Sequence, residues 1–302
     1  MPNNEYLNPF SFRSEVYPIS KLLIGGVENQ LGLLIPEFQR DYTWEEKDIL
    51  RLFDDLFLAY SSRMSHPSNH FFGATVWNKR KRIDEREFIL PSYDIVDGQQ
   101  RITTCLLLLY TLYKSINTLQ KTLIEQNTLN TLILDWLNNE ITKISLDAKM
   151  IITGDIVYSQ DTPFPRIVHE EDFRGQSHAS SIYKSPLSKI LLQFRKVIDQ
   201  SIEDVKYEEM FEEIQHEQKN VFNRLKKNIL KFQECLEEID KEIFFEDLNI
   251  PFVKKEYLSR TNFTELFNEL PPQSEFQTCL NENELFEKQI RLIQFYGFFL
   301  KA

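Results

Sequence analysis

A chain of 302 residues, 42% of them hydrophobic, is long enough to bury a substantial core as one large domain or two ordinary ones. Its net charge of −11 at pH 7 argues against a surface that binds DNA nonspecifically, because such surfaces are basic. The three cysteines lie far apart without a CxxC pair, which indicates neither a disulfide framework nor a zinc site and makes the reducing cytoplasm the simplest compartment.

The balance of residue types favours helices. With 24 Phe against 8 Gly, thick helical packing is expected rather than a barrel of short strands. The N-terminus lacks the charged and then apolar layout of a signal peptide. No apolar run approaches the ~18 residues of a membrane-spanning helix, and the most apolar window, residues 102–113, is better explained as a buried helix. We therefore expect a cytoplasmic protein with no membrane association.

The first predicted elements surround a short segment that contains an arginine. An apolar run at residues 33–35 is followed by Gln39 and Arg40. Thr43 and Glu46 then have the spacing of a capping box, and the periodic apolar residues beyond them indicate an amphipathic helix. Arg40 therefore lies on a turn before a helix, either as a ligand contact or as an arginine held by stacking and nearby carboxylates.

A β-hairpin with a basic tip is predicted next. Its strand-like runs are residues 71–78 and 87–96. The tip consists of Lys79, Arg80, Lys81 and Arg82. Such a segment is either a solvated turn that protects a sheet edge or a contact for nucleic acid or nucleotide.

The segment Asp97-Gly98-Gln99-Gln100-Arg101, called the DGQQR turn below, joins the strand-like run 93–96 to the helix-like run 102–113. A strand that turns on a glycine into a helix places unpaired backbone N–H groups and the positive end of the helix dipole at one point. That arrangement favours an anion such as phosphate. The alternative is an ordinary turn and helix cap.

The side chains of the DGQQR turn suit phosphate as well. Arg101 can donate two parallel hydrogen bonds to phosphate oxygens, and the amides of Gln99 and Gln100 can donate or accept. Asp97 can hold a metal ion, a sugar hydroxyl or a water. The turn therefore predicts an anion site with a carboxylate beside it.

The rest of the chain reads as mainly helical, with strong helical periodicity at 119–144, 187–202 and 207–243. The pattern returns to strand near 244–253 and to helix at 262–270 and 283–299, with a polar loop from Pro271 between them. The long helices could close a bundle within the chain or form an oligomer. We predict an α+β fold with a core at residues 1–118 and a mainly helical region at 119–302 that completes the domain.

No P-loop, GxGxxG, GxSxG or HExxH signature is present, and the five histidines give no pair of ligands on a helix face. The acidic run 208–217 is best explained as a solvated face. What remains is a set of three arginines on irregular segments, Arg40, Arg101 and Arg166. Together they could clamp a polyphosphate.

Three features in chain order carry a family resemblance. They are Ile35-Pro36 with Gln39-Arg40-x-Tyr42-x-Trp44, the strand-like Phe72-Gly73, and Ile95-Val96-Asp97-Gly98-Gln99-Gln100-Arg101-Ile102-Thr103-Thr104. The set resembles the DGQQR domain at the N-terminus of GmrSD-type modification-dependent restriction endonucleases, over about residues 17–115. That family is similar in core fold to ParB and sulfiredoxin, in which the equivalent strand, turn and helix bind nucleotide phosphates. The resemblance implies a small ParB/sulfiredoxin-like sheet with helices.

The resemblance also implies a set of site residues. The match covers Gln39, Arg40, Asp97, Gly98, Gln99, Gln100 and Arg101, and Arg166 is a weaker transfer. We expect Arg40 and Arg101 to offset phosphate charge and Asp97 to hold Mg²⁺ or position water. The glutamines would orient that water or read the nucleotide. The predicted catalytic residues are thus Asp97, Gln100 and Arg101, with an NTP and Mg²⁺ as cofactors.

Two departures from the family pattern bear on function. Family members often carry a Phe-Leu-Asn-Gly segment, whereas here Phe267-Asn268-Glu269-Leu270 is followed by Pro271. Fused members also carry an HNH nuclease domain, and this chain shows no His-rich nuclease signature. We expect an NTP-hydrolysing regulatory subunit that serves recognition of modified DNA and leaves cleavage to a separate HNH-type nuclease. The alternative is a module that senses nucleotide or modified DNA without hydrolysis.

Overall fold

The computed structural model describes most of the chain. The described residues are 14–24, 32–62, 70–79, 93–153, 157–158, 162–163, 165–172, 183–239 and 271–301. Arg80, Lys81 and Arg82, the predicted elements between 244 and 270, and the Phe267 segment lie outside them.

Helices make up most of the described structure. The α-helices are α1 (Ile19–Ile24), α2 (Glu46–Ser62), α3 (Gln99–Gln126), α4 (Thr131–Thr153), α5 (Pro186–Ile198), α6 (Tyr207–Glu213), α7 (Lys219–Glu237), α8 (Gln273–Glu282) and α9 (Glu284–Lys301). Two short 3-10 turns, Glu170–Asp172 and His216–Gln218, precede α5 and α7. Within the described ranges, each helix is too short or too polar to cross a membrane.

A small mixed sheet accompanies these helices. Its strands are β1 (Leu33–Ile35), β2 (Val76–Lys79), β3 (Tyr93–Asp97) and β6 (Ile167–His169), and a separate pair consists of β4 (Val157–Tyr158) and β5 (Thr162–Pro163). The order in the sheet is β2-β3-β1-β6, in which β1 is parallel to both β3 and β6, while β2 is antiparallel to β3. The predicted α+β class is confirmed.

Helix α3 lies at the centre of the fold. It packs against α4, α7 and α9, and its consecutive leucines 106–109 are all buried. Four buried residues in a row leave no solvated face, so helices surround α3 on all sides here. Tyr110 adds a stacked contact with Phe194 of α5, with ring centroids 3.5 Å apart. The prediction that residues 102–113 form a buried helix is confirmed.

The observed elements differ from the predicted ones in three places. Strand β2 begins at Val76, because the preceding segment turns at Gly73, whose φ is +89°. The predicted helix 207–243 is interrupted between α6 and α7, where Ile214 has an extended backbone and a buried side chain. Helix α8 occupies residues predicted as part of a polar loop.

Helix α3 also runs far beyond residue 113. Its buried stripe continues through Ile116, Gln120 and Leu123, so the apolar contacts that stabilise it do not end with the leucine run. The helix therefore crosses residue 118, where the sequence analysis placed a boundary. A single hydrophobic cluster includes side chains from both sides of that position.

Candidate functional site

The carboxyl ends of three parallel strands meet at one edge of the sheet. There β1 leads into residues 36–45, called the QR loop below, β3 leads into the DGQQR turn, and β6 leads into a 3-10 turn. Ligands commonly bind at this edge of parallel sheets, because the loops that follow the strands converge there. The edge is therefore the candidate site.

Gly98 makes the turn from β3 into α3. Its φ of +98° is in the left-handed region, and a Cβ at this position would lie 2.8 Å from the Cβ of Thr75. Both the backbone conformation and the close approach of Thr75 therefore require glycine.

The N-terminus of α3 is open. No side chain caps the helix, and within the described residues the backbone N–H groups of Gln99, Gln100 and Arg101 have no acceptor. The first intrahelical bond is donated by Ile102 N to Gly98 O, at 3.0 Å. Three free donors at the positive end of a long helix form a ready site for an anion.

Arg101 lies beside these donors. Its Nη2 donates to Ala74 O and to Asp97 Oδ2, the latter at 3.3 Å, and these bonds leave the Nε and Nη1 donors available. The side chain is 31% exposed and that of Asp97 is 67% exposed. A Cβ at Gly73 would lie 3.2 Å from Arg101 Cζ, so the backbone wraps closely around the guanidinium. Arg101 is thus fixed in place with part of its charge facing solvent.

Two glutamines fasten the QR loop to the DGQQR turn. Gln39 Nε2 donates to Val96 O at 2.8 Å. Gln100 Oε1 accepts from Thr43 N at 2.8 Å, and its Nε2 donates to Asp41 O at 3.0 Å. Both ends of the Gln100 amide are therefore engaged with backbone, so in this structure the residue positions the loop.

Arg40 is carried to the site by these bonds. It lies between Gln39 and Asp41, both of which contact the strand and helix that flank Gly98. Arg40 is exposed, and within the described residues it makes no hydrogen bond or ion pair. The sequence left two roles open for Arg40, a ligand contact or an arginine held by stacking and nearby carboxylates. Among the described residues, no carboxylate is bonded to it.

A buried polar network holds the QR loop from the other side. The hydroxyl of Tyr42 lies 2.7 Å from Thr104 Oγ1 of α3 and accepts from Asn228 Nδ2 of α7 at 3.1 Å. Asn228 Nδ2 also donates to Trp44 O at 2.9 Å, and Arg224 Nη1 donates to Tyr42 O at 2.9 Å. Burial raises the pKa of Tyr42 well above its usual value. The loop is thus clamped by α3 and α7, contacts that the sequence analysis did not anticipate.

Gln99 differs from its neighbours in the turn. Its side chain is only 4% exposed, and its Nε2 is buried without a hydrogen-bond acceptor among the described residues. A buried donor without a partner costs about 1–3 kcal/mol, so such groups are often found where a ligand supplies the acceptor. This is a second feature of the turn that favours an acceptor-rich ligand.

Arg166 does not join the other two arginines. It precedes β6 and therefore lies at the amino ends of the parallel strands, whereas Arg40 and Arg101 follow the carboxyl ends. Its side chain is buried, with Nε donating to Ile151 O at 3.1 Å and Nη2 donating to Met150 O. Arg166 thus satisfies carbonyl groups at the end of α4, and the expectation that it joins Arg40 and Arg101 in a clamp is wrong.

His169 occupies the edge where Arg166 was expected. It ends β6, pairs in register with Ile35, and is half-buried. Burial lowers the pKa of its imidazole, against the opposing effect of the Asp172 and Asp41 carboxylates. The sequence signal was available, since His169 follows the apolar residues Ile167 and Val168, and a strand over that run places His169 at its carboxyl end.

Lys79, the described residue of the basic hairpin segment, lies at a distance from the DGQQR turn. Val76 pairs with Asp97, and Lys79 pairs with Tyr93 at the other end of the antiparallel ladder. Three residues of strand place Lys79 roughly 10 Å from the DGQQR turn. A nucleic acid contact through Lys79 stays a prediction.

The family resemblance implies that Asp97 holds a metal ion. Among the described residues, no group of three or more His, Cys, Asp or Glu side chains could hold a metal ion. A lone exposed carboxylate suits Mg²⁺ that is held mainly by phosphate oxygens and water, because this ion usually takes one or two protein carboxylates in nucleotide sites. Asp97 fits that mode, and a site built from protein ligands alone is not found in the described ranges.

This chain matches known proteins at the level of a family. No curated protein matched it. Residues 19–301 match the family described as the N-terminal domain of GmrSD restriction endonuclease, a match that includes the sheet, the DGQQR turn and every described helix from α1 to α9. The chain therefore belongs to the GmrSD restriction endonuclease N-terminal domain family and is a component of a restriction system.

Proposed function

We propose that this protein binds a nucleoside triphosphate at the DGQQR turn and hydrolyses it as the regulatory subunit of a modification-dependent restriction system. The observation that carries the proposal is the open N-terminus of α3 behind Gly98, with Arg101 beside it. Backbone donors, the helix dipole and a guanidinium at one point match the charge and geometry of phosphate. Arg40, free and exposed on the adjoining loop, supplies a second positive charge.

The residues divide into binding, catalytic and positioning roles. Arg40 and Arg101 offset phosphate charge, and Asp97 holds Mg²⁺ or orients the attacking water. When bound, Mg²⁺ supplies further charge neutralisation to the phosphates. Gln39 and Gln100 act by holding the QR loop, since their amides are bonded to backbone.

The test is a nucleotide panel with Mg²⁺, assayed for binding and phosphate release. Arg101→Ala removes a charge-assisted contact worth about 1.5–3 kcal/mol, so we expect NTP affinity to fall about 10-fold to 150-fold. Lys121→Ala, at an exposed position near the other end of α3, is the matched control for loss of one positive charge. Equal affinity in wild type and Arg101→Ala would overturn the proposal.

A second function is favoured by one observation. Both ends of the Gln100 amide are occupied and Gln99 is buried, so among the described side chains of the turn Asp97 is the exposed acceptor that remains to position a water. A module that binds nucleotide without hydrolysing it would keep the anion site and lack turnover. Saturable NTP binding with no phosphate release, with or without modified DNA, would select this function.

The partners follow from the same proposal. We propose that modified DNA is recognised in the assembled system and that cleavage belongs to a separate HNH-type nuclease subunit. The three cysteines are free thiols, which supports work in the reducing cytoplasm. Reconstitution of NTP-dependent cleavage by adding such a nuclease, with no cleavage by this chain alone, is the expected result.

A further inference from the structure

A pocket of about 430 Å³ adjoins the DGQQR turn on the side of α2. Arg101 forms one wall, so the pocket is continuous with the proposed phosphate site. Asp48, Arg51 and Asp55 of α2 form a second wall, and Phe71 and Phe72 form a third. The volume falls within the range of small-molecule sites.

The aromatic wall combines a fixed ring with an exposed one. Phe72 is anchored by edge contacts with Phe299 of α9, at 5.8 Å between ring centroids, and with His70, at 4.8 Å. Phe71 is 73% exposed. An exposed phenylalanine beside a pocket adds nothing to folding, but its face is available to stack on a flat ring.

The α2 wall carries two carboxylates and one guanidinium, so it offers acceptors for hydrogen-bond donors beside a single positive charge. Asp48 Oδ2 accepts from Glu45 N at 2.9 Å, which fixes that carboxylate, and Asp55 is exposed two helical turns further along α2. Carboxylates repel phosphate and accept from O–H and N–H groups. His70 adds no positive charge at neutral pH, because burial lowers its pKa against the opposing effect of Asp55.

We infer that this pocket holds the nucleoside half of a nucleotide whose phosphates lie on the DGQQR turn. The base stacks on Phe71, and sugar hydroxyls or base amino groups donate to Asp48 and Asp55. Arg101 lies at the junction, where the nucleoside meets the first phosphate. The inference rests on the proposed function, which supplies the phosphate end.

Inorganic tripolyphosphate tests the phosphate half of the site alone, because it carries the phosphates and no nucleoside. We expect Phe71→Ser in the full chain to weaken NTP binding roughly tenfold, as loss of one stacking contact does, and to leave tripolyphosphate binding unchanged. Arg101→Ala should weaken both. Leu132→Ser, at a solvent-exposed apolar position on α4, is the matched control.

A second variant tests the α2 wall. Asp55→Ala should also weaken NTP binding without changing tripolyphosphate binding, whereas Asp135→Ala on α4 should change neither. Both positions are exposed helical sites, so the fold is retained in each case.

Three results would overturn the inference. If NTP affinity is the same in wild type and Phe71→Ser while Arg101→Ala still weakens it, the pocket is not the nucleoside site and the proposed function stands. If neither NTP nor tripolyphosphate binds, both are wrong. If Phe71→Ser weakens only the binding of a single-stranded oligonucleotide, the pocket takes a DNA base instead.

Discussion

At the residue scale, the hydrogen bonds of each polar side chain in the site show whether it holds the backbone in position or remains open to a ligand. Gln39 and Gln100 are bonded to backbone, whereas Asp97 and Arg40 face solvent. The sequence predicted which residues form the turn, because a glycine between a strand and a helix is a local pattern. It could not predict that Gln100 bonds Asp41 and Thr43, since those partners are almost sixty residues away in the chain.

Gly98→Ala tests whether the conformation of the turn is needed for binding. A non-glycine residue at a φ of +98° is strained, and its Cβ would crowd Thr75. We expect a loss of about 1–3 kcal/mol in the free energy of unfolding, measured by chemical denaturation. NTP binding should weaken as well, because relief of the strain would redirect the N–H groups of α3.

The control for that variant is Gly297→Ala. Gly297 lies within α9, where the helical backbone accepts a side chain without strain. If the two variants have the same stability and the same NTP affinity, the left-handed conformation at residue 98 does not matter for the site.

At the element scale, the site depends on a helix that is distant in sequence. Arg224 and Asn228, four residues apart on α7, present their donors to the backbone and hydroxyl groups of the QR loop. The apolar periodicity of this region predicted a helix and its buried stripe. It gave no sign that two polar residues on the same helix would bind a loop near residue 42, because such contacts depend on tertiary packing.

Asn228→Ala should therefore affect both stability and binding. The change leaves Trp44 O and the Tyr42 hydroxyl without their donor in a buried environment, which costs about 1–3 kcal/mol. NTP affinity should fall in addition, because the QR loop that carries Arg40 is held less firmly. Asn223→Ala, at an exposed position on the same helix, is the control, and identical denaturation midpoints and affinities for the two variants would refute the clamp.

At the scale of the whole molecule, α3 joins the site to the core. Its N-terminus provides the anion site, its middle is surrounded by α4, α7 and α9, and its last turns remain partly buried. The α+β class followed from composition and from the change of pattern after the hairpin. The continuity of α3 did not, because the prediction treated residues 102–113 and the helical run from residue 119 as separate, whereas one helix spans Gln99–Gln126 with polar Gln120 among its buried positions.

The last prediction concerns a fragment that ends at residue 118. It would remove the end of α3 together with α4, α7 and α9, and thus expose leucines 106–109 that are buried against them. Exposing each leucine costs about 1.5–3 kcal/mol of hydrophobic stabilisation. Summed over the four leucines, this loss is comparable to the whole free energy of unfolding of a typical domain. We expect fragment 1–118 to lack a cooperative thermal transition in circular dichroism and to bind no NTP. A fragment that melts cooperatively and binds NTP like the full chain would show instead that residues 1–118 form a self-sufficient core, and that α4, α7 and α9 serve some purpose other than completing the fold.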